Sequence, residues 1–194
     1  MSGTEHDGQR EHTAVTQEAG RPDGPSWFYP ASAAQQELTP VLPAMDAGAV
    51  HAELADRLAA LGIGHTVELV HGRAADGVLV RSRYAEPVTV VDDEGRFALV
   101  ARASDGSPKV IDTELAASAP VEQLALYLAF HSLWAMKRLL DRHGAEAVAR
   151  RTPELLTHQQ LVLAFIAASI ASADDTVRGY ASALMGNATS MLRA

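Results

Sequence analysis

The side chains that could do chemistry in this sequence are histidines, arginines and a few grouped aromatics, because it contains no cysteine. That removes thiol nucleophiles, thiolate metal sites and disulfides together. His51, His65, His71, His131, His143 and His158 fall where the apolar pattern predicts a folded region. No HExxH motif and no histidine pair at i, i+4 occurs. His65 and His71 share strand parity, yet six residues of extended chain hold them about 20 Å apart. No metal site and no cofactor is expected. His131 stands out because Tyr127 and Trp134 flank it at helical spacing. Joined by Tyr84 from a preceding strand, these residues could line a pocket between a sheet and a helix, where an imidazole acts as acid, base or ligand. The more ordinary role for such a histidine is a buried ring satisfied by a hydrogen bond. Asp92, Asp93 and Glu94, followed by Gly95, lack the alternating ligands and distal glutamate of a calcium loop and read as a hairpin turn. GxSxG, Walker and GxGxxG motifs are absent, so the common hydrolase and nucleotide signals are missing and no residue is assigned as catalytic.

Arginine carries a second possibility. If Val78, Val80, Val88, Val90, Phe97 and Leu99 face a core, strand parity turns Arg81, Arg83, Arg96 and Arg102 outward together. Such a face could grip an acidic partner or a phosphate backbone, or be an ordinary solvated face balanced by Glu68 and its neighbours. The formal charge of −8 disfavours nucleic acid as the general partner of the chain. Trp27, Phe28 and Tyr29 offer a third candidate: three neighbouring aromatics in a segment otherwise polar and charged. An island of that kind is a docking peptide or packs back on its own domain.

These residues must be positioned by elements, and the stretch from Ala119 to His143 organises them. Pro120 suits a helix start, Lys137, Arg138, Arg142 and His143 gather at the negative end of its dipole, and Gly144 can stop it. No charge occurs between Gln123 and Met136, and the apolar residues there project around most of the circumference. A helix of that kind is buried or spans a membrane, and its uncharged window is shorter than the ~20 residues a span needs. It is therefore read as a central helix covered on both sides. Before it, Asp46 caps a helix whose Val50, Leu54, Leu58 and Leu61 form one stripe, and Gly62 ends it. Short alternating runs follow. They are a strand from His65 and another over Val78 to Tyr84 after a loop from Gly72 to Gly77. A hairpin then sets Val90 opposite Phe97 and Val88 opposite Leu99 across a four-residue loop, and a short strand lies around Val110 and Ile111. Tight connections make this an antiparallel meander. After the central helix, a short segment over Ala145 to Arg151 leads to Thr152 and Pro153 as the start of another helix, and Asp174 and Asp175 cap the last. Gly179 and Gly186 weaken that last helix by about 1 kcal/mol each.

The expected architecture is α+β: an N-terminal helix, about five mostly antiparallel strands, then a long central helix and C-terminal helices packed as a layer. Residues 1–45 are read as a disordered or extended tail bearing the aromatic island. Residues 46–194 are read as one domain, with helix and sheet over 46–118 and helices over 119–194. The polar, acidic N-terminus has no apolar h-region, and the chain is expected to be cytoplasmic with no membrane partner. Arginine in excess of its two lysines, Lys109 and Lys137, with abundant alanine, suggests a high-GC bacterial coding sequence. The order helix, antiparallel strands, long helix over residues 46–143 resembles the layout of secretion-chaperone-like domains and small actinobacterial regulatory domains, a likeness of layout that carries no function. With no catalytic constellation, a sticky aromatic tail and an alanine-rich helical layer suited to self-association, the function expected is that of a non-catalytic protein-binding, adaptor or chaperone-like regulatory protein acting as a homodimer, its partner another protein. Two alternatives stand beside it: a small enzyme or ligand binder with its pocket at His131, and a DNA-binding regulator using the arginine face.

Overall fold

The computed structural model describes residues 45–72 and 75–193. Its elements in chain order are α1 (Ala47–Leu61), β1 (Thr66–His71), β2 (Asp76–Arg81), β3 (Val88–Asp93), β4 (Arg96–Arg102), β5 (Pro108–Ala116), α2 (Val121–His143), α3 (Ala145–Arg151), α4 (Leu155–Ser169) and α5 (Asp175–Arg193). The strands form one sheet in the order β1-β2-β3-β4-β5, antiparallel throughout. This is the expected α+β fold. The predicted tail, with Trp27, Phe28 and Tyr29, falls outside the described residues except for Met45.

α1 forms for local reasons. The Asp46 carboxylate accepts from the Ala49 amide at 3.0 Å, which satisfies one of the amides a helix start leaves unpaired. At the other end Gly62 takes φ 73° and returns its N–H to Ala59 O. Between them Val50, Leu54, Leu58 and Leu61 are buried.

The sheet differs from its sequence reading in register rather than in facing. The β3–β4 turn has two residues, Glu94 and Gly95, at φ 56° and 84°, instead of the expected four. Glu94 adopts the left-handed conformation that glycine or asparagine usually supplies to such turns, and Asp92 Oδ1 accepts from the Gly95 amide at 2.7 Å. Val90 therefore pairs with Leu99, and Phe97 with Asp92. The slip is of two residues, so the inward set is unchanged: Val78, Val80, Val88, Val90, Phe97 and Leu99 are all buried. β2 begins at Asp76, opposite His71, and ends at Arg81, so Ser82 to Tyr84 leave the sheet. β5 is nine residues long rather than a short strand. Its register shifts opposite Arg96 and Ala98, and there the Thr113 hydroxyl donates to the Phe97 carbonyl. A side chain thus fills in where the backbone ladder is interrupted.

The inner face is roofed by α1 over β1 and β2 and by α2 beside β5, while α2 packs on its far side against α4 and α5. Its Leu124, Ala125, Leu126, Ala129, Leu133 and Met136 have no exposure, as a helix covered from two sides requires. The cover is incomplete. Tyr127, Phe130 and His131 are half-buried, and Trp134 keeps 43% of its surface. Further along, Thr152 caps the C-terminal end of α3 and Pro153 lies in a turn, so α4 starts at Leu155 without a side-chain cap. Asp174 does cap α5, accepting from the amides of Thr176 and Val177 at 2.8 and 3.2 Å. On the outer sheet face Val91, Ala98 and Val100 make a small separate cluster.

Candidate functional site

The uncovered side of α2 is a stripe. Tyr127, His131, Trp134, Arg138 and Arg142 follow one another at steps of three or four residues, which stacks them along one face. Opposite this stripe lie the end of β4 and the start of β5, with Arg102, Lys109, Val110 and Ile111. The loop after β2 closes the third side with Tyr84 and Glu86. Together they bound a cleft of about 960 Å³, within the range that holds a drug-sized molecule or several peptide side chains.

All four residues expected to form a pocket, Tyr84, Tyr127, His131 and Trp134, line this cleft. Its floor is aromatic: the His131 and Trp134 rings stack at 6.3 Å between centroids. The Arg138 guanidinium lies 4.6 Å from the centre of the Trp134 ring, a cation–π contact. Burial lowers the pKa of His131, with Glu86 opposing and nearby Lys109 adding to the shift, so at neutral pH the imidazole is uncharged. The Tyr127 phenol is pushed up by burial and by the carboxylates of Asp112 and Glu114 beyond it. Charge is therefore polarised along the cleft, with cations Arg102, Lys109, Arg138 and Arg142 at one end and acids past Tyr127 at the other. None of these four cations has an ion-pair partner among the described residues.

The predicted arginine face is dispersed. Arg81 does project from the outer face, beside Glu68 at 3.4 Å, and Arg96 is 3.7 Å from Asp112. Arg83 is not on the sheet at all: it sits in the loop after β2 and pairs with Glu154 ahead of α4. Arg102 belongs to the cleft, at the corner it shares with a smaller groove of about 670 Å³ over the outer face, where Arg81 also lies. Lys109, Arg138 and Arg142 were not among the site residues expected from sequence. The spacing on α2 contained a signal for the two arginines, whereas Lys109 joins them only through the pairing of β4 with β5.

The loop from Ser82 to Pro87 is held firmly. Tyr84 Oη hydrogen-bonds His158 Nδ1 at 2.6 Å, and the Arg83–Glu154 pair adds a second tie to α4. Ser82 Oγ lies 3.1 Å from Ser132 Oγ, which in turn lies 3.0 Å from His65 Nε2. This serine–histidine pair has the separation of a nucleophile and its base. Ser132, however, keeps only 1% of its surface, and the buried His65 Nδ1 has no hydrogen-bond partner among the described residues. A catalytic pair would need substrate access and an orienting acceptor at that nitrogen. It therefore serves to join β1, the loop and α2. Among the described residues no group of three or more histidines and carboxylates is placed to hold a metal, and no helix is long and apolar enough to cross a membrane.

Comparison with protein-family models, with curated proteins and with solved structures finds no match. The likeness to secretion-chaperone-like domains remains one of element order.

Proposed function

We propose that this chain is a non-catalytic binding protein whose cleft between α2 and the β4–β5 end of the sheet takes an acidic, aromatic-bearing segment of a partner protein. The observation that carries the reading is Trp134, 43% exposed beside the half-buried Tyr127, Phe130 and His131, in a cleft whose cations have no ion-pair partner among the described residues, in a chain of formal charge −8. Exposed tryptophan beside arginine is the composition of a binding hot spot, and local positive charge in an acidic molecule selects acidic partners. The pairing of Arg81, Arg83 and Arg96 with carboxylates supports a protein partner over nucleic acid. An array of acidic aromatic peptides should contain binders whose affinity drops at least about tenfold with Arg138→Glu/Arg142→Glu and weakens as salt rises. Binding indifferent to both would refute the reading.

A second reading uses the same cleft. Because it is open at His131 rather than closed, a small anionic aromatic molecule is the natural alternative occupant, and a small-molecule screen read by Trp134 fluorescence separates the two. The assembly we propose is a homodimer through the outer side of α4. That helix has no charged residue from Leu155 to its end, and it leaves Leu156 and Leu161 56% and 39% exposed. Two copies can meet there without opposing like charges. Leu161→Asp should convert the dimer to a monomer by mass in solution, and a wild-type monomer would refute it.

A further inference from the structure

The chemistry the cleft selects is present in the chain itself. Residues 1–44 hold six acids against two arginines, a net charge of −4, and their three aromatics stand together at Trp27, Phe28 and Tyr29, four residues after Asp23. The cleft presents the complement: Arg102, Lys109, Arg138 and Arg142 around exposed Trp134, with Glu86 the one acid among its described lining residues.

The chain is also anchored within reach. The Met45 amide donates to Asp92 Oδ2 at 2.9 Å, at one end of β3, while Val88 at the other end lines the cleft. Those ends are about 17 Å apart. The fifteen residues from Pro30 to Ala44 can span up to about 50 Å, so the island reaches the cleft with chain to spare. Tethering on that scale places a segment near its site at an effective concentration on the order of millimolar.

Resting on the binding role proposed above, we infer that Asp23–Pro30 occupies the cleft of its own chain, Trp27–Tyr29 lying on the aromatic floor, and that a partner segment enters by displacing it. The tail is then a built-in competitor. It sets the threshold a partner must exceed and keeps Trp134 covered until one arrives.

The test uses full-length protein. Trp27→Phe and the triple variant Trp27→Ala/Phe28→Ala/Tyr29→Ala each leave Trp134 as the sole tryptophan, since the chain has two. Acrylamide should quench Trp134 several-fold more in the triple variant than in Trp27→Phe. A labelled, N-acetylated synthetic peptide of residues 22–32 should bind the triple variant at least about tenfold more tightly than the intact chain. That binding should vanish when Arg138→Glu/Arg142→Glu is added. Equal quenching in the two variants, or a peptide that binds intact chain and triple variant alike, or neither, overturns the inference. The peptide array judges the underlying role separately. Array binders lost on charge reversal while the 22–32 peptide fails would sink only the tail's part; binders that survive charge reversal would sink the role itself.

Discussion

His65 shows how a single side chain ties folding to solvent. Burial lowers its pKa from 6.5 to about 4, and its Nε2 is committed to Ser132. Between those two values the unfolded chain takes up a proton that the folded chain refuses. Stability is therefore full above pH 6.5 and falls as the pH drops towards 4. A shift of that size corresponds to at most about 3 kcal/mol, less whatever its partial exposure returns. In His65→Gln, where the side chain can still reach the serine, the urea midpoint should vary less between pH 7 and pH 4 than in wild type. Parallel pH profiles for the two proteins would show that the burden lies elsewhere.

At the scale of elements, two glycines should respond in opposite ways. A Cβ on Gly186, within α5, meets nothing within 4 Å among the described residues, so Gly186→Ala should stabilise by about 0.5–1 kcal/mol through helix propensity alone. A Cβ on Gly77 would sit 3.0 Å from both Thr89 Cγ2 and the Val90 carbonyl oxygen, so Gly77→Ala must push β2 away from β3 and lower the melting temperature. Thermal melts of the pair check both signs. The same contrast shows what was legible in the sequence. The α1 stripe, the inward strand set and the Asp174 cap rest on local periodicity and local hydrogen bonds, and they are as expected. The β3–β4 turn was misjudged because Glu94 accepts a backbone conformation its side chain disfavours, with Asp92 securing the turn. Arg83 was misplaced because β2 stops at Arg81, where the chain turns to bond Ser132 and α4, partners far away in sequence. The cleft was half legible: the α2 residues declare their stripe by spacing, while Lys109, Val110 and Arg102 join it through tertiary pairing that no local pattern encodes.

For the molecule as a whole, the order of elements carries a consequence for its birth. A ribosome delivers α1 and all five strands before the first turn of α2. At that moment α1 can roof β1 and β2, but the helix that lies beside β5 has yet to emerge. Phe97, Leu99 and Leu115, buried in the finished protein, then face water on a half-built platform. A chain stopped after Pro120 should pellet on overproduction, while the full-length protein stays in the supernatant; a clear supernatant for the truncated chain would show that α1 alone suffices. The newborn protein thus passes through a window in which its greasy interior needs a shelter that the unfinished fold cannot yet give.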